Sequence, residues 1–296
     1  MDNETVSIDA DGAVAGETSI WIALNPAIYL ISLLPSAGVV LLSPDHIWWA
    51  GLISATFAVV LLQHAINLFN DVADWQLGAD TEKHDSWIRA HRGNIRVARL
   101  HGALSAIAGV ALGIATLAAA GKVWILLIAS PMVVLGYLYN AGERPLSYTA
   151  LGEWVTGLCY GPGVFGCMYL LVNDGLTLAA AIGMLTFAAL AMGLLLSHQP
   201  SQIKTDRAAG KHSFAVRYGR EQTIRVAWGL YLLALGSFAV AAYFAARPME
   251  LWIFLLASGT VLAFSYRKET SPRLFMFGAS GIFVVTVISV LASANP

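Results

Sequence analysis

Long apolar runs alternate with short polar punctuation along this chain, and the runs are longer than the core helices of a soluble domain require. Stretches able to cross roughly 30 Å of hydrocarbon recur near residues 22–42, 47–69, 98–119, 122–141, 151–172, 177–197, 224–246, 249–266 and 272–293. None shows the short alternating segments of a membrane β-strand, so the pattern predicts nine transmembrane helices. The fold class is therefore all-α integral membrane, with residues 21–296 as a single transmembrane domain. Residues 1–20 form an acidic tail that carries Asp2, Glu4, Asp9, Asp11 and Glu17 without one Lys or Arg, which is unlike a secretory signal.

Composition supports the pattern: 57% of residues are apolar and only 12% are charged, too few charges to clothe a soluble surface. A net charge of −1 supplies no basic field for nucleic acid. Two cysteines, Cys159 and Cys167, lie in one apolar run and exclude a disulfide framework or a cysteine metal site. With nine spans, the segments 70–97, 142–150, 198–223 and 267–271 share one side of the membrane. Fifteen of the seventeen Lys and Arg residues lie in or beside them, leaving Lys122 and Arg247 opposite. By the positive-inside rule that side is cytoplasmic and holds the N-terminus, in a bacterial inner or plasma membrane.

Two of these loops, 70–97 and 198–223, are long and rich in Asp, Lys, Arg, His and Gly, which marks them as functional. At the first, Asn67, Asp71 and Asp74 follow i, i+4, i+7 spacing and share one helical face, with Asn70, Gly78 and Asp80 close by. Carboxylates one turn apart offer hard oxygen ligands to Mg²⁺, which usually binds through carboxylates together with substrate phosphate. A polar helix end meeting water is the plainer alternative, but ionisable groups at membrane depth are costly to keep. The second loop joins Asp206 to Lys204, Arg207, Lys211 and Arg217, cations suited to phosphate oxygens or to anchoring at lipid headgroups. A third patch runs from Tyr139 through Gly142, Arg144, Pro145 and Tyr148 to Glu153, where Arg144 can reach an anion. Gly157, Gly161, Gly163 and Gly166 read as close helix packing. His64, one turn before Asn67, either lines the cavity or is a packed, hydrogen-bonded histidine.

Together the three stretches resemble the UbiA superfamily of intramembrane prenyltransferases. Asn70-Asp71-x-x-Asp74 is similar to its first signature, and the extension through Gly78 and Asp80 looks most like the menaquinone-pathway branch, which prenylates 1,4-dihydroxy-2-naphthoate. Asp206-Arg207-x-Ala-Gly210-Lys211 with Arg217 and Gly219 is similar to the second motif, and Tyr139 through Glu153 to a third segment. The resemblance implies a UbiA-type bundle with its active site at the cytoplasmic face. It implies that Asp71, Asp74 and Asp206, with Asn67, hold Mg²⁺ and act in catalysis on an isoprenyl diphosphate and an aromatic acceptor. Asn70, Asp80, Arg89, Arg92, Tyr139, Arg144, Gln202 and Lys211 would bind substrate, while Tyr139, Tyr148, Tyr160 and Trp87 would shield an allylic cation.

Two positions depart from the family pattern: Gln202 stands where a further Asp is usual, and Asn25-Pro26 where the branch often has Arg-Pro. An amide for a carboxylate removes one charge from a metal ligand set. A terpene cyclase that needs no aromatic acceptor, or a non-catalytic relative, therefore remains as an alternative. A secondary transporter fits less well, because its ionisable groups would sit near mid-span.

Overall fold

A computed structural model describes residues 18–43, 46–79, 83 and 85–247, with isolated helical positions between 256 and 288. Most of the acidic tail, Asp80 and most of the predicted spans 249–266 and 272–293 lie outside the described residues. Every regular element described is helical: α1 (Leu30–Leu42), α2 (Trp49–Leu77), α3 (Ile95–Ala119), α4 (Val123–Asn140), α5 (Gly152–Val172), α6 (Leu178–Ala208) and α7 (Phe214–Phe244). Six of them, α2 to α7, are long and apolar enough to cross a membrane.

The first predicted span is interrupted. Ile20–Leu24 forms one turn, Asn25 takes a left-handed conformation with φ 44°, and Pro26–Tyr29 continues as a 3₁₀ turn before α1 begins. A residue before proline is kept out of the α region, and Asn tolerates the left-handed alternative. Hydropathy registers this run as one segment because it sees side chains and not backbone torsions.

The two long loops also require correction. α2 continues past residue 69 to Leu77, α6 continues through Pro200 to Ala208, and α7 begins at Phe214. Only 78–94 remains of the first loop, with a one-turn helix at Trp87–Ala90, and only 209–213 of the second. Hydropathy follows lipid contact, whereas these helix ends are kept regular by polar tertiary partners. Part of what reads as loop is thus helix carrying the first two motifs on its sides.

Packing follows small residues. α2 lies against α3, where Gly109 approaches the Ala58 carbonyl and the Ser54 and Thr116 hydroxyls hydrogen-bond at 2.7 Å. α5 lies against α6, where a side chain at Gly157 would strike Met192 and one at Gly161 would strike Ala188, in agreement with the packing role predicted for these glycines. Around Pro162 the helix widens into a π-helical stretch over Cys159–Gly166. Phe165 and Phe187 stack at 4.9 Å in the central core with Val39, Leu41 and Tyr231. Leu100, Leu104, Ile107 and Leu127 point outward and exposed, as lipid-facing positions should.

Candidate active site

Asp71 and Asp74 project from the last two turns of α2 and are almost fully buried, as is Asp206 near the end of α6. Local sequence explains the meeting of the two helix ends. α6 closes on Gly210, whose φ of 75° suits glycine, and the Gly210 and Lys211 N–H groups donate back to the carbonyls of Arg207 and Asp206 at 3.2 and 2.8 Å. This Schellman turn folds Lys211 onto the carboxylates: its Nζ lies 2.9 Å from Asp74 Oδ1 and 3.7 Å from Asp206 Oδ1. The ammonium also sits over the Tyr148 ring, 4.7 Å from its centroid.

Each carboxylate has further donors. Tyr148 donates its hydroxyl to Asp74 Oδ1 at 2.8 Å, and Ser213 donates to Asp206 Oδ2 at 3.0 Å. Asp71 accepts from Lys83 Nζ at 2.8 Å and from the Trp87 backbone N–H at 2.6 Å, which fixes the loop beyond α2. A second set of bonds clasps the start of α7: Glu153 Oε1 accepts from Gln199 Nε2 (2.9 Å) and the Phe214 N–H (2.7 Å), while Gln199 Oε1 accepts from the Ala215 N–H (3.2 Å). The His212 N–H donates to the Tyr148 carbonyl at 2.9 Å. The five-residue connection bearing Lys211 is thereby tied at both ends to the third sequence patch.

The predicted residues separate into two groups. Asp71, Asp74, Asp206 and Lys211 come together, and Tyr139, hydrogen-bonded to Thr156, lies in the field of Asp74, Asp206 and Glu153. Gln202, half-buried, stands one turn before Asp206 on the same helix. Asn67 Nδ2 is buried beside the Tyr29 hydroxyl and meets no well-aligned acceptor among the described residues. The amide carries a carbonyl oxygen of the kind a metal takes and an N–H of the kind an anionic oxygen takes. Asn70 instead donates to Asn140 Oδ1 at 3.0 Å, and Asn140 donates to the Ile66 carbonyl, a tie between α2 and α4. Arg144 is exposed in the turn after α4, and Arg92 is exposed at a left-handed position with φ 53°. Arg89 lies half-buried in the one-turn helix. The Trp87 ring is committed to three histidines, and Tyr148 to Asp74 and Lys211; Tyr160 is half-buried and hydrogen-bonded to Ser32.

Lys83 and Ser213 were not legible as partners of the acids because the folded loops place them, and Gln199 because the packing of α6 against α5 and α7 does. Among the described residues, no three His, Cys, Asp or Glu side chains close on one point as a finished metal cage. The donor chemistry nevertheless fits Mg²⁺, which takes carboxylate oxygens and leaves positions for substrate phosphate.

The model of the UbiA prenyltransferase family matches residues 30–287. The chain is 27% identical to the 1,4-dihydroxy-2-naphthoate octaprenyltransferase of Bacillus subtilis, over 62% of this chain and 58% of that one. It is 29% identical to the protein of the same name from Mycobacterium tuberculosis, over 64% of each. The chain thus spans about six-tenths of the length of these curated relatives. In fold it is similar to a UbiA homolog from Archaeoglobus fulgidus bound to DMAPP and Mg²⁺, with a TM-score of 0.68, 18% identity and coverage of 93% of this chain and 98% of that one. The apo structure of a UbiA homolog from Aeropyrum pernix also gives 0.68, at 14% identity over 89% of this chain and 98% of that one.

Proposed function

The chain belongs to the UbiA prenyltransferase family, and on that premise we propose that it transfers an isoprenyl group from a prenyl diphosphate to an aromatic acceptor of the 1,4-dihydroxy-2-naphthoate class. The observation that carries this reading is the meeting of Asp74, Asp206 and Lys211 across two helix ends, with Asp71 three residues from Asp74. Supporting it are the relatives' names, which specify that acceptor.

Mg²⁺, held by Asp71, Asp74 and Asp206, would supply Lewis-acid neutralisation of the diphosphate leaving group. The protein's own groups do the rest. Lys211 and Lys83 are flexible ammoniums already resting on carboxylates, so they can follow the negative charge from carboxylate to phosphate as substrate enters. Asn67 Nδ2 gives a further donor to a phosphate oxygen. Tyr148 and Ser213 keep Asp74 and Asp206 oriented, so the site is organised before substrate arrives. The faces of Tyr139 and Tyr160 would stabilise an allylic cation as the C–O bond ionises, while burial excludes water from it. The isoprenoid tail would lie among the helices or in lipid, and the site would face the cytoplasm as the basic loops predict.

The reading is tested on purified protein in liposomes with geranyl diphosphate and Mg²⁺, offering dihydroxynaphthoate, hydroxybenzoate or no acceptor, with products read by mass spectrometry. A prenylated naphthalene is the expected product. A hydrocarbon formed without acceptor would replace this reading with a cyclase, and absence of any product would replace it with a binding protein.

A further inference from the structure

A buried glutamate outside the three site aspartates grips the segment that carries Lys211. Glu153 stands in the first turn of α5 and is almost fully buried. Residues 211–218 lie between two glycines in left-handed backbone, Gly210 (φ 75°) and Gly219 (φ 80°, ψ 170°). Gly219 breaks α7, so residues 214–218 do not take their direction from the long body of that helix, and α6 has already ended at Ala208. Side contacts must therefore fix the segment.

A helix that starts at a serine ordinarily closes its first N–H groups with the serine hydroxyl. Ser213 is the N-cap of α7, yet its hydroxyl makes no cap bond and donates instead to Asp206 Oδ2 at 3.0 Å. Two side chains from other helices cap in its place. Glu153 Oε1 accepts the Phe214 N–H at 2.7 Å, and Gln199 Oε1 accepts the Ala215 N–H at 3.2 Å. Gln199 Nε2 donates to Glu153 Oε1 at 2.9 Å, which locks the two caps together. A carboxylate at a helix N-terminus also meets the favourable end of the helix dipole. The second Glu153 oxygen, Oε2, is buried and faces Arg217 Nη2 at 3.6 Å, while the Arg217 guanidinium lies over the Phe214 and Tyr218 rings, 5.8 and 5.1 Å from their centroids. Glu153 thus holds the turn both at its first N–H and at Arg217, and leaves the Ser213 hydroxyl to Asp206.

We propose that Glu153, together with Gln199, is a positioning residue for Lys211, and that the pair sets where the ammonium meets the substrate diphosphate. This rests on the prenyl-transfer reading above. Lys211 stands three residues before Phe214 and reaches Asp74 Oδ1 at 2.9 Å and Asp206 Oδ1 at 3.7 Å. Without the Glu153 carboxylate the Phe214 N–H loses its acceptor, and recapping by Ser213 would take that hydroxyl off Asp206. Either change moves the ammonium relative to the carboxylates, and a displacement of about 1 Å is enough for a large loss of rate.

The alternative is that Glu153 only braces the start of α7. A double-mutant cycle separates the two, because a residue that acts through Lys211 has nothing left to act on once Lys211 is gone. In liposomes with geranyl diphosphate and dihydroxynaphthoate, Glu153→Leu is expected to lower kcat/KM for the diphosphate about tenfold, with KM for the acceptor as in the wild type. Glu153→Gln keeps an acceptor oxygen for the Phe214 N–H and is expected to recover most of that loss. In the Lys211→Ala background, Glu153→Leu is expected to cause almost no further loss. If Glu153→Leu does not fold, Gln199→Met, which removes the acceptor of the Ala215 N–H, carries the same cycle. Wild-type kcat/KM in a folded single variant, or the same tenfold loss repeated in the Lys211→Ala background, overturns the positioning role and leaves the transfer reading standing. Failure of both variants to fold overturns it in favour of the brace. A wild-type protein that transfers no prenyl group overturns the positioning role together with the reading beneath it.

Discussion

Two ends of this bundle hold cations in opposite ways. At the motif end Lys83 and Lys211 rest on carboxylates, 2.8 and 2.9 Å from Asp71 and Asp74. At the other end Lys122 and Arg247, the two cations that break the charge asymmetry, rest mainly on backbone carbonyls. Lys122 Nζ donates to the Leu170 and Asn173 carbonyls at 3.1 and 2.8 Å, and its one carboxylate neighbour, Asp174 at 3.1 Å, is fully exposed. Arg247 donates to the Leu41 carbonyl at 2.7 Å and to that of Ser43. Helix ends leave carbonyls without intrahelical partners, and cations there complete the helices α5 and α1. Carbonyl partners make a cation structural; a buried carboxylate partner makes it exchangeable, because a metal ion or a phosphate can take either role.

That contrast is broken or sharpened by substitutions at the two ends. The largest effect is expected at the carboxylates: Asp71→Ala or Asp74→Ala removes charge stabilisation worth several kcal/mol and lowers turnover about 10³-fold or more, with the thermal midpoint in detergent showing that the protein remains folded. Lys211→Ala should follow, with a loss of about 10²-fold in kcat/KM for the diphosphate, because one charge-assisted contact of roughly 1.5–3 kcal/mol disappears. Tyr148→Phe removes only the hydroxyl that orients Asp74, and steady-state kinetics should show about a tenfold drop in kcat. At the opposite end, Lys122→Met should cost roughly 1–3 kcal/mol of stability, seen as a lower thermal midpoint, and leave kcat as in the wild type. A kcat loss there would erase the distinction between the ends. The smallest change is expected from Gln202→Asp, which restores the acid usual in the family and should lower the Mg²⁺ concentration needed for half-maximal rate a few-fold.

Much of this molecule was legible in its sequence, and the failures have physical causes. Length and hydropathy placed α2 to α7 because lipid contact is what hydropathy measures. The same measure stopped too early at residues 69 and 197, since Asp71, Asp74 and Asp206 are polar and yet belong to regular helix. Spacing put Asp71 and Asp74 on one helix face, and they do share the buried end of α2. It could not show that Asn70 turns to Asn140, because an amide beside two acids looks like a ligand until the neighbouring helix is in place. Lys83, twelve residues beyond Asp71 and in no motif, becomes its partner only when the loop folds back. His64, which its place in the sequence left as either cavity-lining or packed, is hydrogen-bonded to Tyr29 and His101, partners that only the folded chain brings to it.

The central claim is that the motif end binds a prenyl diphosphate through its carboxylates and a divalent cation. Equilibrium binding of geranyl diphosphate to the purified protein, in Mg²⁺ and in EDTA, for wild type and Asp74→Ala, tests this most directly. Binding that requires Mg²⁺ and is lost in Asp74→Ala is the predicted result. Binding of equal strength in EDTA, or in the variant, would contradict it.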